Sequence, residues 1–266
     1  MTLRTSLKYA LGSISGTSPA DGVTILVYHR IGGGTQDERD VSVASFQAQL
    51  EILRGSSIVS LDTALDGIDR GDRQHRVVIS FDDGFVDVYE HAWPILRERR
   101  IPFTLFVATA FLGEEMHWPG STARATGRGL NESQLRELAA SDLCTIGNHT
   151  HSHVQPDRVT VSEIDRCSET LAAILGTTPR HFAYTWGVPV PRLEGALRKR
   201  FRSAATGNVG RNLPGCDYMK LRRVPVRGTD PLPFFRAKLR GRLMPERAYA
   251  TLASTAKRIK GSLPGW

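Results

Sequence analysis

Two adjacent carboxylates, Asp82 and Asp83, close the apolar run Val77-Val78-Ile79-Ser80-Phe81, and Gly84 follows them. Ionised carboxylates so close repel, so one must take a proton or a cation must sit between them. A helix N-cap would use one Asp and leave the other idle. Further along, Gly147-Asn148-His149-Thr150-His151-Ser152-His153 sets three histidines within five residues at the end of another apolar run, a pattern seldom made by core packing. Asp83, His149 and His153 together offer the three ligands of a hydrolytic divalent-metal site that keeps positions open for water and substrate. Two local geometries are open: a helical turn puts His149 and His153 on one face and His151 elsewhere, whereas an extended chain faces all three the same way and changes the ligand set. His29 is a further titratable residue at the end of an apolar run, residues 23–28.

Such groups need rigid elements behind them. Residues 77–81 read as a strand buried on both faces, and Gly84 lets the backbone turn so that both carboxylates can converge. Residues 23–28, 58–61, 103–107, 143–146, 182–184, 203–206 and 221–226 also read as strands, and 46–53, 88–99 (despite Pro94), 132–140, 160–175 and 191–201 as helices. Asn131 predicts a helix cap, and Thr160 with Glu163 predicts a capping box on a helix that Gly176 closes, with Cys167 on its core stripe. Residues 113–129 read as a long irregular insertion, of the kind that shapes a cleft or simply covers surface. Strands alternating with helices predict an α/β fold, a parallel barrel rather than an open sheet.

The 266 residues are 40% hydrophobic and 23% charged, which favours one barrel-sized domain over a disordered or membrane-spanning chain. The expected organisation is a segment over 1–22, the barrel over 23–228 and a basic helical tail over 229–266. Cys144, Cys167 and Cys216 are odd in number and far apart, which excludes a disulfide framework and a CxxC metal signature. The tail carries eight basic residues against Asp230 and Glu246, six of the eight excess charges. No base-reading or stacking motif accompanies them, so a solvated face touching an anionic membrane or glycan is expected rather than nucleic-acid binding. Arg4 and Lys8 interrupt Leu3, Leu7, Leu11 and Ile14, so a packed terminal helix is expected instead of a standard export signal, and with it a cytoplasmic or membrane-peripheral location.

Taken in order, Ser80-Phe81-Asp82-Asp83-Gly84, the run from Gly147 to His153, and Phe182-Ala183-Tyr184-Thr185-Trp186-Gly187 resemble the motifs of the polysaccharide deacetylases with a NodB-homology domain. The resemblance extends over about residues 23–227 and implies a distorted (β/α) barrel of about seven repeats that removes acetyl groups from N-acetylated sugars with a divalent metal. It implies Asp83, His149 and His153 as ligands, with Zn2+ the first expectation and other divalent transition metals the alternatives. It also implies Asp82 as general base and the Trp186 main-chain N–H as an oxyanion donor. Thr185 and Trp186 stand where related sequences commonly have Pro and Tyr. No histidine follows His181, although many members place a catalytic His on a late strand. Val27-Tyr28-His29-Arg30-Ile31 resembles a branch with that motif near the amino terminus, and a barrel closes first strand to last. His29 is therefore the expected general acid, and Arg223 the residue expected to orient Asp82.

The expected function is metal-dependent N-deacetylation of a sugar or polysaccharide. Two alternatives are an N-deacylase of a small amino-sugar or lipid-linked glycan precursor, and a glycan-binding module without turnover.

Overall fold

The two longest apolar runs lie side by side. In the computed structural model, which describes residues 21–118 and 126–241 together with 6, 8, 9, 243, 244 and 246–248, β1 (Val23–Tyr28) pairs in parallel with β5 (Arg76–Phe81), from Val23 opposite Arg76 to Tyr28 opposite Phe81. From β5 the sheet continues through β6 (Phe103–Val107), β7 (Cys144–Asn148), β8 (His181–Ala183), β9 (Ser203–Val209) and β10 (Leu221–Pro225), which returns to β1 with Leu26 opposite Val224. The seven strands form a closed parallel ring, so every strand has both edges paired. β4 (Ser57–Ile58) pairs with the start of β5, and β2 (Arg30–Ile31) pairs with β3 (Asp40–Val41) apart from the ring.

Outside the strands lie α1 (Val43–Leu53), α2 (Leu61–Asp69), α3 (Trp93–Glu98), α4 (Glu132–Ala140), α5 (Val161–Leu175) and the short α6 (Glu194–Arg198). The strand read over 58–61 stops at Ile58. Ser60 accepts a hydrogen bond from Thr63 N and starts α2, which buries Leu61, Ala64, Leu65 and Ile68. Helix propensity over a short segment had hidden this element, and the cap decides it. A π-helical turn, Val88–Ala92, precedes α3 and puts Pro94 in the first turn of that helix, where its missing N–H costs nothing. Thr160 caps α5 by accepting Glu163 N, but the Glu163 carboxylate does not complete the expected capping box. Gly176 ends the helix at φ 75°.

Aromatic packing fixes the strand ends where the candidate groups sit. Tyr28 contacts Phe46 and Phe81 at 5.5 Å, and Phe81 contacts Phe103 at 5.7 Å. All four rings are fully buried. Each pair contributes roughly 0.5–1.5 kcal/mol beyond simple burial, and the two residues that precede His29 and Asp82 are thereby held together.

Residues 21–228 form one compact unit, and residues 1–20 with 229–266 form another. In the second, α7 (Leu232–Leu239) bears out only part of the expected solvated basic face: Arg236, Arg240 and Arg247 are exposed, whereas Lys238 is buried with Nζ 2.6 Å from Asp230 and 2.7 Å from Glu246, and Lys8 Nζ lies 2.7 Å from Asp230. Buried ammonium groups need such partners, and charge spent this way is not offered to an anionic surface. Leu3, Leu7, Leu11, Ile14, Arg242 and the basic residues from 257 onward lie outside the described residues. Among those described, no helix is long and apolar enough to cross a membrane.

Candidate metal centre

The chain turns as soon as β5 ends. Asp82 N donates to Tyr28 O at 3.0 Å, and Gly84 N donates to Asp82 O at 3.0 Å. Asp83 has φ 76° and Gly84 φ 94°, so the turn uses a left-handed aspartate as well as the expected glycine. That conformation costs a non-glycine residue of order 1–3 kcal/mol. Thr150, His153 and Trp186 share it, at φ 63°, 48° and 59°. Four of the five non-glycine residues with positive φ among those described therefore belong to the candidate motifs, and backbone strain concentrates there.

The turns bring three residues together. Asp83 Oδ1 lies 3.3 Å from His149 Nε2 and 3.2 Å from His153 Nε2, all three side chains are buried, and their ligand atoms fall within 4.8 Å of one another. Neither expected geometry brings His149 and His153 to Asp83. The segment after β7 is neither a helical turn nor an extended strand; left-handed Thr150 and His153 fold it back. His151 turns aside and shares a 2.9 Å hydrogen bond between Nδ1 and Thr109 Oγ1. Gly147, just before the histidines, lies against Phe106, whose ring a Cβ there would approach to 2.5 Å.

His149 and His153 are oriented differently. His149 Nδ1–H donates to Ala183 O at 2.8 Å, which fixes the tautomer and leaves Nε2 free to ligate. The buried Nδ1 of His153 has no hydrogen-bond partner among the described residues. Its ring packs instead on Trp118, 4.1 Å away between centroids, and 5.9 Å from Trp186.

Asp82 faces a different partner. Arg223 Nη1 donates to Asp82 Oδ1 at 2.6 Å and Arg223 Nε donates to Thr206 O at 2.9 Å, with Arg223 2% and Asp82 5% exposed at the side chain. Burial pushes the Asp82 carboxyl up, but the Arg223 charge and then His149 outweigh it, so the group sits below its ordinary value. Asp83 is held well below that range: burial opposes, and hydrogen bonds from His149 and His153 prevail. His149 gains proton affinity, because Asp83 and Asp82 together offset the cost of burial.

His29 is half-buried and its Nδ1 is enclosed without a partner among the described residues. Burial lowers its proton affinity, the charges of Asp83 and Asp82 oppose that, and Arg39 and Arg223 act with burial. His29 thus shares the electrostatic surroundings of the acid pair. Trp186 is 40% exposed, and its main-chain N–H meets no acceptor among the described residues.

Several residues around the site carry no clear signal in the sequence. Trp118 lies within the insertion read as irregular and packs on His153. Arg39, bonded to Asp37 through Nε at 3.0 Å and Nη2 at 2.6 Å, acts electrostatically on both His29 and Asp83. Glu163 looks like a helix cap in sequence, yet its carboxylate accepts from Ser152 N at 2.8 Å and Ser152 Oγ at 3.1 Å.

One carboxylate and two imidazoles, buried and with one tautomer already fixed, fit a divalent transition ion. The adjacent Asp82 gives the site a second negative charge that such an ion would offset.

Comparison with known proteins adds three findings. Residues 69–199 match the family described as polysaccharide deacetylase. Over 132 residues, 48% of this chain, the sequence is 28% identical to a poly-β-1,6-N-acetyl-D-glucosamine N-deacetylase of Staphylococcus aureus. The chain spans less than half the length of the curated relatives it matches. Among solved structures, IcaB from Ammonifex degensii is 30% identical with a TM-score of 0.73, over 84% of this chain and 99% of that one. A polysaccharide deacetylase from Bacillus cereus, 21% identical with a TM-score of 0.67 over 82% of this chain and 68% of its own, shares the fold.

Proposed function

From the premise that this chain belongs to the polysaccharide deacetylase family, we propose that it is a metal-dependent N-deacetylase acting on a polymer of N-acetylated hexosamine. The observation that carries the reading is the convergence of Asp83, His149 and His153 beside an Asp82 that Arg223 keeps ionised. The polymer is favoured over a small precursor by the S. aureus relative, whose name specifies poly-N-acetylglucosamine.

Amide hydrolysis needs an attacking oxygen, a stabilised oxyanion and a proton for the departing nitrogen. A divalent ion, Zn2+ by preference for this donor set, would be held by Asp83, His149 and His153, and would supply Lewis acidity and lower the pKa of bound water towards about 7. Asp82 takes the proton of the attacking water; Arg223 holds its carboxylate in one orientation and keeps it charged at neutral pH. The Trp186 N–H donates to the oxygen that becomes negative, a contribution of about 3 kcal/mol for one such donor. His29, in its protonated form, delivers a proton to the nitrogen as the C–N bond breaks. The exposed indole of Trp186 offers a sugar ring an apolar face beside these groups.

The test is acetate release from N-acetylglucosamine polymer, oligomers and monosaccharide, with Zn2+ and with a chelator. Release that is strongest on the longer substrates, stops with chelator and returns with Zn2+ is expected. No release from any of them by the Zn2+-containing protein would overturn the reading and leave a glycan-binding module.

A further inference from the structure

Metal-binding histidines ordinarily donate their second ring nitrogen to a carboxylate or carbonyl, which fixes how the ring faces the ion. His149 follows that rule through Ala183 O, and His153 finds no such acceptor among the described residues. Its backbone is moreover in a left-handed conformation uncommon for residues other than glycine, at φ 48°. Something else must hold it.

The residues on either side of His153 are clamped. Glu163, in the first turn of α5, receives three hydrogen bonds from the two preceding residues: His151 N to its main-chain oxygen at 3.1 Å, and Ser152 N and Oγ to its carboxylate at 2.8 and 3.1 Å. On the other side, Thr185 Oγ1 donates to Val154 O at 2.8 Å, and Thr185 is itself buried. Both anchors come from elements outside the loop: the first turn of a 15-residue helix and the turn that ends β8. A hydrogen bond to a carboxylate is the stronger kind, so the Glu163 side chain does more here than the capping role its position suggests.

We infer that Glu163, acting through Ser152, and Thr185, acting through Val154 O, are positioning residues that hold His153 in its ligating conformation in place of the missing bond to Nδ1. This inference rests on the proposed metal site. Thr185 also ties the third ligand to the turn that presents the Trp186 N–H, so the same hydroxyl couples the metal site to the oxyanion donor.

The experiment compares Zn2+ affinity, measured by chelator competition, and the visible spectrum of the Co2+-substituted protein for the wild type, Ser152→Ala, Glu163→Gln, Thr185→Val and Thr160→Ala. Weakening of Zn2+ binding by about 10- to 100-fold is expected for Thr185→Val, with an altered Co2+ spectrum, and a smaller weakening for Ser152→Ala, which removes the 3.1 Å hydroxyl bond but keeps the 2.8 Å N–H bond to Glu163. Glu163→Gln keeps one acceptor oxygen and should likewise fall between Thr185→Val and the wild type. Thr160→Ala removes the N-cap of the same helix and should lower thermal stability while leaving Zn2+ affinity unchanged. Wild-type affinity in both Ser152→Ala and Thr185→Val, or an equal loss in Thr160→Ala, would overturn the inference. A wild-type chain that binds no Zn2+ would overturn the proposed function as well, so the two failures are told apart by the wild-type measurement.

Discussion

Replacing Arg223 with Met removes a buried guanidinium while keeping most of its volume, and leaves Asp82 with its charge unpaired in the metal-free protein. With Nη1 and Oδ1 2.6 Å apart, the charge centres lie about 4 Å apart and attract by about 4 kcal/mol at an effective dielectric of about 20. Breaking a buried pair by removing one member costs about 3–5 kcal/mol, in the same range. Arg223→Met should therefore lower the unfolding free energy, measured by denaturant titration in chelator, by that amount at pH 7. The double variant Asp82→Asn with Arg223→Met should regain most of the loss, because neither partner then carries a buried charge. The pH dependence has a definite sign. In the wild type Asp82 is depressed below its unfolded value, so its contribution is present above that value and lost as pH falls. In Arg223→Met burial has less to oppose it, the carboxyl titrates higher, and the deficit shrinks as pH is lowered. A single variant that loses less than about 1 kcal/mol, or a double variant no more stable than the single, would refute this account of the pair.

Asp83→Ala should lose bound metal and acetate release together, whereas Asp82→Asn should retain metal and lose turnover, as elemental analysis and the release assay would read. For His29→Ala, unchanged metal content is expected with kcat lowered about 100-fold or more, the scale of general acid catalysis; full activity would remove His29 from the reaction. Away from the site, Asp62 is held well below the usual carboxylate range by His181, whose Nε2 lies 3.3 Å from Oδ2, with burial opposing and Arg202 assisting. Its contribution is full above the unfolded pKa and is lost only as pH falls through the much lower folded value, so Asp62→Asn should destabilise the protein at pH 7, with the difference from wild type beginning to shrink in thermal melts below about pH 4 and persisting in part at about pH 3.

The barrel was legible because buried parallel strands are written as continuous apolar runs, such as 77–81 and 103–107, with turn residues after them. Asp83, His149 and His153 stood out because so much ligating chemistry at strand ends has few structural uses. The conformation that unites them was not legible: sequence spacing speaks in regular periods, and the chain folds His153 back through left-handed residues that no period describes. Glu163 was misread for a related reason. A Thr-x-x-Glu pattern satisfies a local cap in isolation, but the carboxylate finds two donors on Ser152, 11 residues earlier in the loop after β7. Lys238 shows the limit of counting charges, since it contributes to a basic composition and yet lies buried between Asp230 and Glu246.

The seam where β1 meets β10 has a consequence for synthesis. Asp83, His149 and His153 have all been made before β8 leaves the ribosome, whereas Arg223 arrives on the final strand of the ring and β1 waits for it with one side open. A nascent chain thus carries Asp83, His149 and His153 while Asp82 still lacks its guanidinium, and the buried Asp82–Arg223 pair can form only once the last strand of the ring has been made.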